Sequence, residues 1–358
     1  PHPNLALPPR NISLTMLIGE ARAIAQRWTT TEGIHLPGFA GAFLQGSVLW
    51  TPSDAHHPRD SDVDVMVVVD SDDFPPAPGK FWYDGVLLEA SVMGAVQLRS
   101  PEAVLSDYHL AGNMHLPGIL ADPTGNLGTV HTTVAQHFAD ERWVLARCED
   151  AMNRVRRWLT SMDPSAPLPD QVTSWLFGTG VMTHVLLVAG LRNPTVRRRY
   201  AAVRDLLRHN ERLDYHETLL AHLGAADLTT RQVREHLQAL EKVFDAARTV
   251  EAPYRFSSDI TDTARPIAID GTHDLITAGL HREAMFWIVA TYCRCLTKLS
   301  LAGLATTSYD TSFNSLLADL GVQTAEDRQR KATEALTALP DLRNMALLLH
   351  KNTKQHNP

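Results

Sequence analysis

Residues 62–70 read Asp-Val-Asp-Val-Met-Val-Val-Val-Asp, and the fold that we predict for the front of the chain starts from this stretch. Side chains alternate between the two faces of a strand, so Asp62 and Asp64 share one face and the odd-numbered valines share the other. Two neighbouring carboxylates repel each other, and a hard divalent cation removes that cost because it takes several oxygen ligands. The other interpretation is a strand that begins in a polar turn with both acids solvated. The motif alone does not decide between the two.

Two further features favour the cation-binding interpretation. Upstream, a predicted strand ends at Gly46-Ser47, where the glycine lets the backbone approach a phosphate and the serine offers an N–H and a hydroxyl as donors. Downstream, Glu89 lies in the otherwise apolar run at 87–92, and a carboxylate in such a run is rarely buried unless it is paired or bound to metal. The alternative for Glu89 is an edge strand with its acid facing water.

This ordered set resembles the signature of the polymerase-β-like nucleotidyltransferase superfamily, which has a Gly-Ser, a D-x-D at a strand start and a third acid in a neighbouring strand. Gly46, Ser47, Asp62, Asp64 and Glu89 match that pattern in residue type and order. The resemblance implies that the three acids are the catalytic and metal-binding residues, holding one or two Mg²⁺ ions against a nucleoside triphosphate on the Gly-Ser. It leaves Glu89 as either a ligand of a second metal or a general base.

The loop between Ser47 and Asp62 is somewhat long for this superfamily. It carries His56, His57 and Arg59, which lie where they can reach triphosphate oxygens, and we include Arg59 among the nucleotide-binding candidates. Surface loops also carry such side chains without a role, so the alternative is a solvated loop.

Beyond this loop, composition divides the chain into a mixed front and a helical rear. A helical pattern at 11–32 comes first, and short extended runs bounded by Pro, Gly and Asp then predict the strands of one sheet. These runs are residues 38–46, 63–70, 85–93 and 117–122, and we predict a connecting loop at 70–80.

The rear of the chain, after about Thr124, is predicted to be helical almost throughout. The clearest helix is 229–249, where Thr229 and Gln232 form a capping box before an apolar stripe. A long buried helix is expected at 272–301, a long ordered loop at 251–271, and another helix start at Asn193-Pro194. The fold class that we predict is therefore α+β.

The resemblance also implies a domain order. We expect a small mixed-sheet nucleotidyltransferase domain at 1–138 and an all-helical bundle domain at 139–358, which would form the acceptor side of the cleft. This order looks like that of the aminoglycoside nucleotidyltransferases, and Leu-Leu-Glu-Ala-Ser-Val-Met at 87–93 is similar to the third-acid strand of the streptomycin/spectinomycin adenylyltransferases. The stretches at 263–271 and 281–289 resemble uncharacterised bacterial nucleotidyltransferase-domain proteins.

The function implied by this resemblance is Mg²⁺-dependent transfer of a nucleotide, AMP from ATP, onto a hydroxyl of a small molecule, with release of pyrophosphate. An aminoglycoside-like antibiotic is the expected acceptor class, which would make the enzyme a resistance factor. Two alternatives stay open: nucleotidylation of a protein partner, and a nucleotide-binding scaffold without turnover. The acceptor, the base of the donor and the choice between monomer and homodimer also stay open.

Composition excludes some other classes. The net charge is −7, from 33 Lys and Arg against 40 Asp and Glu, which argues against a broad nucleic-acid surface. Cys148, Cys293 and Cys295 are an odd number for a disulfide framework, so we expect a reducing, cytoplasmic setting. The last two are expected to be packing residues of a helix, since a zinc site lacks its usual spacing there. We see no apolar stretch as long as a bilayer span and expect no membrane partner.

A set of charged residues beside the predicted 272–301 helix has two interpretations. It could line the acceptor side, where acids would suit a cationic acceptor, or form an ion-pair network that fixes the preceding loop. The set consists of Asp259, Asp262, Arg265, Asp270, Arg282 and Glu283.

Overall fold

The structure of the protein is a computed structural model that describes residues 16–71 and 73–356. The chain divides into two compact units, Pro1–Ala146 and Arg147–Pro358. Within the described residues, a small five-stranded mixed sheet lies in the first unit and the remainder is mostly helical. The predicted α+β class is thereby confirmed.

The strands of the described chain form one sheet. They are β1 (Phe39–Gln45), β2 (Val63–Val69), β3 (Gly79–Tyr83), β4 (Val86–Gly94) and β5 (Ile119–Ala121). The order across the sheet is β3-β4-β2-β1-β5, with β2 and β4 parallel and the other neighbours antiparallel.

The predicted strands at 38–46, 63–70, 85–93 and 117–122 are confirmed as β1, β2, β4 and β5. The prediction of a loop throughout 70–80 is wrong at its end, because β3 begins at Gly79. A two-residue turn joins β3 to β4, with φ of 46° at Asp84 and 81° at Gly85. Positive φ at both positions is typical of the tight turn whose twist matches that of a hairpin.

The helices of the first unit cover both faces of the sheet. They are α1 (Ile18–Thr31), α2 (Gly46–Trp50), α3 (Pro101–Ser106), α4 (Leu110–Met114) and α5 (Asn126–His137). The predicted helix at 11–32 is confirmed from Ile18 onward, and its residues 11–15 lie outside the described part of the chain.

Two apolar clusters stabilise the sheet, one on each face. The odd-numbered valines of β2 pack with Leu88 and Ala90 of β4 and with the apolar stripe of α1, including Trp28. On the other face, Val68 of β2 and Met93 of β4 pack against side chains of α3, α4 and α5. The alternation predicted for 62–70 therefore holds in the fold, because each face of β2 has its own layer of helices.

A further helix, α6 (Glu141–Thr160), contains the boundary between the two units. The helices that follow are α7 (Leu168–Ala189), α8 (Arg199–His209), α9 (Leu213–Leu223), α10 (Thr230–Ala247), α11 (Gly271–Thr277), α12 (His281–Leu301), α13 (Asp310–Asp319), α14 (Ala325–Thr337) and α15 (Leu339–His356).

Several predicted helix boundaries can be compared with these elements. The capping box at Thr229 and Gln232 is present at the start of α10 and confirms that helix. The prediction of a single helix at 272–301 is wrong. The helix is interrupted between α11 and α12, where Gly279 takes a φ of 78°. The start predicted at Asn193-Pro194 is also wrong, because α8 begins at Arg199.

Helix α7 corrects the expectation that no segment is long enough to cross a bilayer. Among the described residues it is the one helix whose length and composition would allow a span. Most of it is buried within the second unit, including Trp175 and Leu186. A core helix that is apolar all round passes the same test of length and composition, so burial accounts for this one.

The segment before α11, predicted as a long loop at 251–271, includes a short turn of helix at Ser257–Asp259 and a π-helical turn at Pro266–Asp270. Buried cations of α12 hold it. Arg294 pairs with Asp259 at 2.9 Å, and the Lys298 ammonium donates to the carbonyl of Ile260 at 2.7 Å.

The other members of the charged set are also paired. Asp262 contacts Arg248, Arg265 contacts Asp270, Arg282 contacts Glu217 and Glu283 contacts Arg204. These pairs support the interpretation of the set as an ion-pair network.

The three cysteines are free and buried, as expected for packing residues. Burial raises the pKa of the Cys148 and Cys293 thiols to about 12, so both stay protonated near neutrality.

Helix α15 offers a matched test of the core of the second unit. Leu349 is fully buried, whereas Leu347, two residues earlier, is 42% exposed. We expect Leu349→Ala to lower the free energy of unfolding by about 2–5 kcal/mol, because the truncation leaves a cavity. Leu347→Ala should change it by less than about 0.5 kcal/mol. Denaturant unfolding of the intact chain measures both, and equal losses would contradict the packing of α15.

Candidate active site

The parallel pairing of β2 with β4 brings the three predicted acids together. Asp64 lies directly beside Glu89 in the register of the two strands, and Asp62 immediately precedes β2 on the same face as Asp64. One carboxylate oxygen from each of the three lies within 4.8 Å of the others. The sequence placed the acids on neighbouring strands, and the register places them at one level of the sheet.

The apolar packing of the sheet dictates where these acids point. The valines of β2 occupy the buried layer beneath α1, so Asp64 must face the opposite side. On that side the apolar cluster begins further along the strand, with the half-buried Met66 and with Val68. The acids therefore lie at the rim of a core, where they are partly buried without being sealed inside it.

Lys80 of β3 belongs to the same cluster, although no motif in the sequence pointed to it. The register of the β3–β4 hairpin places Lys80 opposite Glu89. Its ammonium contacts Oε2 of Glu89 and lies 2.5 Å from Oδ2 of Asp62. The side chain of Lys80 is only 6% exposed. The signal that could have found it is the Asp84-Gly85 turn, which fixes the register of the hairpin and hence the partner of Glu89.

Charge is distributed unevenly within this cluster. Burial opposes ionisation of Asp62, but the charge of Lys80 and its hydrogen bond outweigh burial and lower the pKa of that carboxyl below its usual value. For Asp64, burial and then the charges of Asp62 and Glu89 raise the pKa well above its usual value. Asp64 is thus harder to ionise than an ordinary aspartate, whereas Asp62 is easier to ionise.

Gly46 lies against Asp64 at the end of β1. Its φ is 67°, and a Cβ at this position would overlap Oδ2 of Asp64, so both the backbone conformation and the space require glycine. The N–H of Gly46 points to Oδ1 of Asn113 at 3.3 Å. The hydroxyl of Ser47 is exposed and lies 3.3 Å from that of Ser61, just before Asp62. The predicted Gly-Ser element therefore adjoins the acids.

Arg22 of α1 anchors the short helix that follows Gly46. Its guanidinium donates to the carbonyls of Val48, Leu49 and Thr51, at distances of 2.6 to 3.1 Å. These carbonyls belong to the end of α2, where helical partners run out. One side chain thus ties the Gly-Ser helix to α1.

The loop from Thr51 to Ser61 is attached to the start of α1 by backbone hydrogen bonds. The N–H of Ile18 donates to Ala55, and the N–H of His57 donates to Met16. Arg59 is exposed, and within the described residues its guanidinium contacts none of the three acids. The nucleotide-binding role predicted for Arg59 therefore stays a prediction.

Comparison with known proteins adds no family assignment. No protein-family model matches the chain, and no curated protein matches it either.

Gly46 and Gly85 provide a matched pair for testing this geometry. Both have positive φ, but a Cβ at Gly85 meets no atom within 4 Å, whereas a Cβ at Gly46 meets Asp64. We expect alanine at either position to cost about 1–2 kcal/mol of stability because of its backbone conformation. Gly46→Ala should lose about 1–3 kcal/mol more, because the methyl must displace the carboxylate. Denaturant unfolding of the two variants measures the difference, and equal losses would show that Gly46 does not abut Asp64.

Proposed function

We propose that the chain is a Mg²⁺-dependent nucleotidyltransferase of the polymerase-β-like kind, which moves AMP from ATP onto a hydroxyl of a small molecule. The observation that carries the proposal is the convergence of Asp62, Asp64 and Glu89 at one level of the sheet, beside the backbone of Gly46. The proposed catalytic domain is the predicted region 1–138, and the proposed acceptor class is aminoglycoside-like.

The donor set fits magnesium. Carboxylate oxygens are the ligands that hard divalent cations prefer, and Mg²⁺ is commonly held by one or two carboxylates together with substrate phosphates. Asp62 and Asp64 would hold the ion, with Glu89 as the third acid of the cluster. Burial, and then the charges of Asp62 and Glu89, raise the pKa of Asp64, and a bound cation would favour its ionised form.

The proposed reaction is an in-line displacement at the α-phosphorus of ATP. The acceptor oxygen forms a bond to that phosphorus, the bond to the bridging oxygen breaks, and pyrophosphate leaves with its electron pair. Magnesium, when bound, supplies positive charge for the attacking and leaving oxygens.

The protein's own groups have separate tasks in this scheme. The exposed hydroxyl of Ser47 donates to the terminal phosphates, and the glycine before it lets them approach the backbone. Arg59, which is exposed in the loop before Asp62, would contact the same phosphates. Glu89 either accepts the proton of the acceptor hydroxyl or completes a metal site, and both roles stay open.

Two alternatives are weaker. A scaffold without turnover has no use for three carboxylates held close together, one of which, Asp64, is made hard to ionise by burial and by its two neighbours. Nucleotidylation of a protein keeps the same chemistry and differs only in the acceptor. Three buried free thiols favour a reducing, cytoplasmic setting for either enzyme.

Calorimetric titration of ATP, GTP, CTP and UTP, with and without Mg²⁺, tests the donor site. We expect one triphosphate to bind in a Mg²⁺-dependent manner to the wild type and not to Asp64→Asn, which removes a proposed ligand. Asp70→Asn is the matched control, because Asp70 follows the opposite end of β2 and is 72% exposed. Failure of every triphosphate to bind would count against the enzyme.

The transfer step has its own measurement, which is pyrophosphate release from the preferred triphosphate in the presence of a panel of aminoglycosides. Asp64→Asn should lower the rate by at least about a hundredfold, the scale seen when one group that stabilises transition-state charge is removed. Asp70→Asn should keep the wild-type rate. Release that persists in Asp64→Asn would exclude the acidic cluster as its source.

A further inference from the structure

Lys80 is a built-in part of the acidic cluster rather than a mobile surface lysine. It comes from the strand next to β4, its register is set by the Asp84-Gly85 turn, and its side chain is almost entirely buried. An ammonium taken out of water is costly unless it is paired, and Lys80 is paired with two carboxylates, those of Asp62 and Glu89.

The position of this ammonium matters for how many metal ions the cluster can take. Two-metal sites hold their ions about 3.5–4 Å apart, with carboxylates shared between them. Here Lys80 occupies the gap between Asp62 and Glu89, whereas Asp64 has no ion pair with any side chain of the described residues. The ammonium therefore contacts two of the three carboxylates directly, and its charge acts on Asp64 without an ion-pair contact.

The charge balance leads to the same conclusion. With all three carboxylates ionised, as cation binding requires, they and the one ammonium carry a net charge of −2, which a single divalent cation neutralises. A second divalent cation would make the cluster positive and would have to displace a buried ammonium from two close contacts. Without Lys80, the space between Asp62 and Glu89 would be open, and the negative charge of the three carboxylates would be large enough to attract a second ion.

We infer that the Lys80 ammonium takes the place of a second metal ion, so that the site binds one divalent cation, held by Asp62 and Asp64. The inference rests on the proposed function and deepens it, because it makes Lys80 a positioning residue for Asp62 and Glu89. It leaves Glu89 engaged by an ammonium rather than by a metal of its own.

The test is the number of Mn²⁺ ions bound per chain, measured by electron paramagnetic resonance on the intact protein. Mn²⁺ is titrated alone and then with the α,β-methylene analogue of ATP, and only ions lost in Asp64→Asn are counted. We expect one such ion in the wild type and two in Lys80→Met, with the spin-coupled spectrum of a close pair. Lys80→Arg keeps the charge and should bind one ion. Lys242→Met makes the same change at an exposed position of α10 and should also bind one.

Two counted ions in the wild type would overturn the inference, and so would a count in folded Lys80→Met that equals that of the wild type. If Lys80→Met does not fold, as judged by circular dichroism, the wild-type count decides alone. Failure of the proposed function looks different. The wild type would then bind one Mn²⁺, but it would not bind the ATP analogue, and it would not release pyrophosphate in the separate assay. Absence of Mn²⁺ from every variant would overturn both the inference and the proposed function.

Discussion

The candidate site depends on the parallel pairing of β2 with β4. Parallel neighbours cannot be joined by a tight turn, so the chain leaves β2, forms β3 beyond β4, and turns back at Asp84-Gly85. This path puts β4 between the other two strands. Glu89 consequently has Asp64 on one side and Lys80 on the other. A shift of one residue in either register would turn one of these groups to the opposite face.

The energy that holds this register comes from the apolar face of the sheet. The valines of β2 pack beneath α1 together with Leu88 and Ala90 of β4. Their burial removes apolar surface from water. Because side chains alternate along a strand, the acids then lie on the opposite face of the sheet. Apolar packing on one face of the sheet thus positions the acidic cluster on the other face, although the close approach of its carboxylates is itself unfavourable.

Within the acidic cluster, Asp62 and Glu89 have a different electrostatic environment from Asp64. Lys80 compensates Asp62 and Glu89, whereas Asp64 faces the backbone of Gly46 and carries the raised pKa. In the second unit, the buried cations Arg294 and Lys298 of α12 are paired with groups of the segment before α11. Those contacts fix that segment against α12.

Local patterns in the sequence were sufficient for the α+β class, four of the strands, the capped start of α10 and the shared face of Asp62 and Asp64. Such features follow from periodicity and from residues a few positions apart. Lys80, the break at Gly279 and the burial of α7 became clear only in the folded chain. Lys80 lies at the end of the predicted loop at 70–80, and its role comes from the pairing of β3 with β4. Composition cannot distinguish a buried core helix from one in a bilayer. Contacts between distant residues depend on register and burial, which periodicity does not encode.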